Sequence, residues 1–189
     1  MHVNLFALAA LLGLAVGFDL HTRRIPNRLV GVGILAGLSL SVGVWWSGTV
    51  HAVFPSTPFV AVAGLLTGFL LFLPFHLLRV LGAGDVKLMA MVGVWLGPAA
   101  TLQATVYVLI AGGVLALAVA CWTGRLRRVL RNVLHMIASR TAPALPAVRT
   151  GPSPAPAETA RLTGRLPYAV AIAAGTAVQV MLTLTTPLR

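Results

Sequence analysis

The chain has 189 residues, 58% of them hydrophobic and 9% charged, with a net charge of +11. Such apolarity excludes a soluble globular domain, and apolar runs that are continuous rather than alternating exclude a β-barrel; an all-α polytopic membrane protein remains. The basic residues border apolar stretches and form no patch interleaved with exposed aromatics, so no nucleic-acid partner is expected.

In chain order, the first span is predicted from Val3 to Phe18, ending at Asp19. It has no basic leader region and no small-residue cleavage pattern, so it reads as a retained span. A polar turn follows, from Leu20 to Arg28, in which Pro26 biases Ile25 away from helical dihedrals. The second span is Leu29 to Trp46, with Trp45 and Trp46 suited to a membrane interface. An uncharged loop with two prolines leads to the third span, Pro58 to Leu78, where Pro74 predicts a kink.

Leu88 to Trp122 carries no charge. As one helix it would run about 50 Å, against a hydrocarbon core of about 30 Å. Gly97-Pro98 supplies a break, predicting a short fourth span, Val86 to Leu96, and a fifth, Ala99 to Trp122. The fourth could be partly re-entrant. Arg125 to Ala138 places Leu126, Val129, Leu130, Val133, Leu134 and Ile137 at helical spacing between arginines, as a basic amphipathic helix on an anionic leaflet would. Ser139 to Arg165 is rich in Pro and Ala and reads as a loop. A sixth span is predicted from Leu166 to Thr185. Residues 1–189 thus form one integral-membrane domain with a cytoplasmic insertion at about 123–165.

With six spans, thirteen of the fourteen Lys and Arg residues fall on one side. The positive-inside rule makes that side cytoplasmic and places the N-terminus outside. Asp19 then closes an outward-to-inward helix and Asp85 opens an inward-to-outward one, so both acids reach the same layer near the cytoplasmic boundary. The chain has only three acidic side chains, Asp19, Asp85 and Glu158. A carboxylate at mid-bilayer is unfavourable by up to about 3 kcal/mol, less near the interface.

Several hydrolytic chemistries lack their residues. No His-Glu-x-x-His run exists, and the one Glu lies in the proline-rich stretch, so a zinc hydrolase has neither ligands nor base. The single cysteine, Cys121, allows no intrachain disulfide or paired-cysteine metal site. Ser39 has no evident activating partner, and His76 reads as a polar packing residue. No metal or cofactor is therefore expected. An aspartate pair survives: two close carboxylates in a partly desolvated site share a proton, the ionised one activating water and the protonated one polarising a scissile carbonyl.

Other readings stand beside this one. Gly82-Ala83-Gly84-Asp85 taken alone is a tight turn with Asp85 as an N-cap, and the glycines equally allow close approach of substrate backbone. Asp19 taken alone pairs with Arg23 four positions on. Lys87 is either a snorkelling anchor or a charge that stabilises the pair. The shared depth of the two acids favours Asp19 and Asp85 as catalytic, with Gly82, Gly84 and Lys87 in support.

These residues resemble the GxGD aspartyl proteases of the type IV prepilin peptidase family. Gly82-Ala83-Gly84-Asp85-Val86-Lys87-Leu88 matches the family's glycine-flanked aspartate segment, and Asp19 with Ile25-Pro26-Asn27-Arg28 looks like its first aspartate motif. Leu166-Pro167-Tyr168-Ala169-Val170-Ala171-Ile172 is similar to the last-span segment of short members serving tight-adherence (Tad) pili. The resemblance implies Asp19 and Asp85 as catalytic residues and prepilin-like precursors with basic leader peptides as substrates. Cleavage is expected at the cytoplasmic face of the inner membrane. The larger members' cysteine-tetrad domain has no counterpart in this sequence, so a peptidase without methyltransferase activity is expected. The alternatives are a preflagellin peptidase, a non-enzymatic proton-coupled carrier and an inert assembly scaffold. A carrier would place its acids near mid-span.

Overall fold

The computed structural model describes residues 2–48, 54–78, 80–122, 124 and 168–185. These residues form five helices and no strand: α1 (His2–Thr22), α2 (Asn27–Ser47), α3 (Pro58–Leu77), α4 (Ala83–Trp122) and α5 (Tyr168–Thr185). All five are long and apolar enough to cross a membrane; at 1.5 Å per residue, α1 and α2 each span about 30 Å. Large apolar side chains such as Phe6, Leu35, Phe59 and Leu70 point outward, as expected where lipid and not water is the solvent. The protein is an all-helical polytopic membrane protein.

By its internal contacts the chain divides into two units, residues 1–112 with 167–189, and residues 113–166. In the second, the described residues are the end of α4 and Gly124, with Val114, Leu117 and Trp122 exposed. The amphipathic helix expected at 125–138 and the Pro/Ala-rich stretch after it lie outside the described residues. Everything below concerns the first unit.

Helix ends differ from expectation where local chemistry extends them. α1 continues one turn past Phe18, because the Thr22 hydroxyl donates to the Phe18 carbonyl at 2.8 Å and the Arg23 N–H to the Asp19 carbonyl at 3.0 Å. Arg23 then takes a left-handed conformation (φ 52°), which ends the helix. Asp19 is therefore inside the last turns of α1. In α3 the Thr57 hydroxyl caps the Val60 N–H at 3.3 Å, with Pro58 at the first helical position. The helix runs through Pro74 to Leu77.

The centre of the unit is the first arm of α4, residues 83–96. Leu88, Met89, Met91, Val92 and Val94 have no exposed surface and Trp95 has 1%. An arm this buried needs neighbours that come close, and glycines supply the approach. A β carbon on Gly64 of α3 would meet the Gly93 backbone, and one on Gly93 would meet the Gly64 carbonyl. Gly33 and Gly37 of α2 lie against Met91, Val94 and Trp95. Small residues four apart on both flanking helices follow the rule for packing in lipid, where van der Waals contact and interhelical hydrogen bonds replace the hydrophobic drive. Trp95 adds such a bond, its Nε1 donating to the Gly33 carbonyl at 2.9 Å.

Gly97 breaks α4 with φ 76° and ψ 173°, a combination that glycine alone adopts readily. The break was expected from length; its geometry is a reversal. Gly97 sits by Val60 and Pro55 at the start of α3, whereas Gly112 lies against Tyr168 at the start of α5. The second arm runs antiparallel to α5, with Val108 against Gly175 and the Gln179 Nε2 donating to Gln103 Oε1 at 2.7 Å. α4 is thus a helical hairpin, and its two limbs bring Asp85 and Gly112 to the same end.

Candidate active site

The acid of the first arm is held by the turn that precedes it. After α3 the chain tightens, with Val80 N–H and Leu81 N–H both donating to the Phe75 carbonyl at 2.9 and 3.3 Å. His76 Nδ1 donates to the Leu81 carbonyl at 3.2 Å; a carbonyl can only accept, so this nitrogen carries the proton. Next, Gly82 N–H donates to Asp85 Oδ2 and Asp85 N–H to the Gly82 carbonyl, each at 3.1 Å. Asp85 is the third residue of α4 and reaches back to the residue before the helix, the reciprocal half of a capping box. The turn reading was right about the turn, but the acid stands two residues beyond the first helical position. A β carbon on Gly82 would come within 3.2 Å of Oδ2, so glycine leaves room for the carboxylate.

The second acid reaches across the chain. Asp19, half-buried near the end of α1, accepts at Oδ2 from the backbone N–H of Ala169 at 3.1 Å, a residue 150 positions later. Ala169 is the second residue of α5, so the α1 carboxylate satisfies one of the otherwise orphaned N–H groups of the last helix. The bond between Asp19 and Arg23 is a backbone one, while the carboxylate is turned to α5. Tyr168, just before Ala169, sets its ring edge-on to Phe72 of α3, centroids 6.3 Å apart. A β carbon on Gly112 would fall 2.7 Å from its Cε2; glycine there makes space for the ring. The start of α5 is therefore held by Asp19 through the backbone of Ala169 and by Phe72 and Gly112 through the ring of Tyr168.

The turn between α1 and α2 closes over the first arm. A β carbon on Gly84 would lie 3.5 Å from the Ile25 side chain. Lys87, exposed, donates from Nζ to Asn27 Oδ1 at 3.0 Å. Two segments 60 positions apart are thus joined by one apolar and one polar contact. Among the described residues no cluster of three or more His, Cys, Asp or Glu could hold a metal ion.

All five residues singled out from sequence, Asp19, Gly82, Gly84, Asp85 and Lys87, lie at one end of the helices. Asn27, Tyr168 and Ala169 were not singled out. The Leu166–Ile172 segment was noticed as a pattern, but nothing local said that its backbone meets Asp19.

The model of the type IV leader peptidase family matches residues 6–117. Two proteins described as prepilin leader peptidase/N-methyltransferase, from Burkholderia pseudomallei strains 1026b and K96243, are each 36% identical to this chain over 125 residues. The similarity covers 65% of this chain and 38% of theirs, so the chain spans well under half the length of these relatives. No solved structure matches.

Proposed function

Because the chain belongs to the type IV leader peptidase family, we propose that it is an intramembrane aspartic endopeptidase of the GxGD type, with Asp19 and Asp85 as its catalytic pair. It removes the basic leader of a prepilin-like precursor. The observation that supports this reading is that both acids stand at one end of the helices: Asp19, near the end of α1, accepts from Ala169 N–H, and Gly84, next to Asp85, lies against Ile25 in the turn that follows α1. Acids from distant segments have no reason of local structure to share one end of the helices.

The chemistry follows from the pair. With one proton shared, the ionised carboxylate takes a proton from water as its oxygen bonds the scissile carbonyl carbon. The protonated partner donates toward the carbonyl oxygen. When the C–N bond breaks, the leaving nitrogen receives a proton from the pair. Coupled acids titrate as a unit, so the roles belong to the dyad. Gly82 gives its N–H to Asp85, Gly84 admits Ile25, and Lys87 ties the α1–α2 turn in place through Asn27.

Orientation belongs to the same proposal. Thirteen of fourteen cationic side chains fall on one side if α4 crosses twice, once with each arm. The acids then face the cytoplasm across the inner membrane, with the N-terminus outside. The precursor's apolar helix enters from the bilayer and its basic leader stays at the cytoplasmic surface, against an anionic leaflet.

The test is co-expression with a prepilin precursor, scored by loss of the leader. Asp19→Asn and Asp85→Asn should each abolish processing, a loss of at least about 10²-fold, while the protein stays inserted. Glu158→Gln should be silent. Processing retained in either aspartate variant removes the mechanism, and cleavage confined to a preflagellin precursor would move the enzyme to that branch.

A further inference from the structure

Resting on the reading above, we propose that His76 is a positioning residue for Asp85, acting through the peptide group that joins Leu81 to Gly82. The contacts form an unbroken relay. His76 Nδ1 donates to the Leu81 carbonyl at 3.2 Å. The Gly82 N–H, the other end of that same peptide group, donates to Asp85 Oδ2 at 3.1 Å. A trans peptide is planar, with its C=O and N–H pointing opposite ways, so fixing the carbonyl fixes where the N–H is aimed. The imidazole on α3 thereby sets the donor that holds the carboxylate on α4.

The turn needs a hold at this one peptide. The bonds that wind the chain out of α3 run from the N–H groups of Leu78, Val80 and Leu81 to the carbonyls of Pro74 and Phe75, and the Leu81 side chain packs against the core. All of these act before the Leu81–Gly82 peptide. Beyond it, the Asp85 N–H returns to the Gly82 carbonyl at 3.1 Å, which belongs to the following peptide. The unit between is flanked by glycine. With no β carbon on Gly82, the peptide plane can turn about its two adjoining bonds at little steric cost. Such a turn would carry the N–H away from Asp85, and the His76 bond opposes it. That bond also strengthens the donor, because a hydrogen bond accepted at a carbonyl polarises the N–H of the same amide.

The glycine cannot be exchanged for a stiffer residue without cost to the acid, since a β carbon there would come within 3.2 Å of Oδ2. The position that leaves room for the carboxylate is thus the one that loosens the backbone, and a side chain from the neighbouring helix supplies the missing restraint. His76 is half-buried in the last turn of α3. Packing alone would be met there by any side chain of similar bulk; the relay asks for an N–H carried on Cγ. Asparagine bears its amide nitrogen on that atom, as histidine bears Nδ1.

The experiment uses the full chain in proteoliposomes with a prepilin precursor, measuring kcat and KM separately for His76→Leu and His76→Asn. Misplacing a reacting group by about 1 Å costs about 10²-fold, so His76→Leu should lower kcat by about tenfold to 10²-fold with KM unchanged. His76→Asn should recover most of that loss. A packing role predicts the reverse order, because leucine fills the space better than asparagine. A wild-type kcat in His76→Leu, a change confined to KM, or an asparagine variant no better than leucine overturns the proposal. Should the leucine variant insert poorly, His76→Phe keeps a ring without the donor and is held to the same outcomes. Asp19→Asn and Asp85→Asn are run alongside. Inactive aspartate variants beside a fully active His76→Leu sink this inference alone, whereas active aspartate variants sink the catalytic pair itself.

Discussion

Gly64→Ala adds a single methyl group where α3 meets the first arm of α4. The added β carbon would lie 2.8 Å from the Gly97 Cα and 2.9 Å from the Gly93 carbonyl carbon. Carbon atoms pack without repulsion from about 3.5 Å, and the Gly93 carbonyl oxygen stands closer to the added carbon than either of these, so the two helices must part by more than roughly 0.7 Å. All three obstacles are backbone, and no side-chain rotation relieves them. Overpacking of this kind costs about 1–3 kcal/mol, and the arm that moves carries Asp85, so cleavage should fall as well. The control is Gly43→Ala on α2, where nothing stands within 4 Å. There a helical glycine is replaced by a better helix former, and the change should be neutral or stabilising by up to about 1 kcal/mol. Unfolding by dodecyl sulfate titration from mixed micelles, followed by circular dichroism, compares the two midpoints. If Gly64→Ala unfolds at or above the midpoint of Gly43→Ala, the backbone-to-backbone contact is not what holds the first arm.

Asp19→Asn and Asp19→Ala should both be inactive yet differ in stability. Asparagine keeps an acceptor for the Ala169 N–H, while alanine leaves it unpartnered at about 1 kcal/mol; equal unfolding midpoints would show that the bond does not anchor α5. Gly97→Ala should destabilise by about 1–3 kcal/mol, since its dihedrals lie where only glycine is comfortable, and a wild-type midpoint would mean the arms can reverse by another path. Lys87→Met and Asn27→Ala should be non-additive in a double-mutant cycle, coupled by about 1 kcal/mol or less for an exposed pair; simple additivity would dissolve the link between the two segments. A pH–rate profile for Lys87→Met that overlays wild type leaves Lys87 an anchor only, and a displaced profile adds an electrostatic role.

Much about this protein is one-dimensional information. Which solvent the chain lives in follows from composition, because a run of apolar residues cannot be left in water at this length. The interruption at Gly97-Pro98 follows from bilayer thickness, since an uncharged run of about 50 Å cannot be one crossing. Asp19 and Asp85 stand out because acids are rare in this chain and both fall beside basic flanks.

What the tertiary structure alone decided is which residues meet. Gly31 and Gly33 are two positions apart on one helix, alike in every local respect. Only Gly33 faces the buried arm, against Met91, while Gly31 has nothing within 4 Å. In lipid the inner and outer faces of a helix are equally apolar, so no polar stripe announces which is which. The same holds at the acid end: that the Asp19 carboxylate is answered by a backbone N–H of the last helix depends on α4 folding back at Gly97 and delivering α5 to α1. A hydrogen bond to a main-chain group leaves no mark on the side chain that donates nothing to it, and so the contact of Ala169 with Asp19 became visible only in three dimensions.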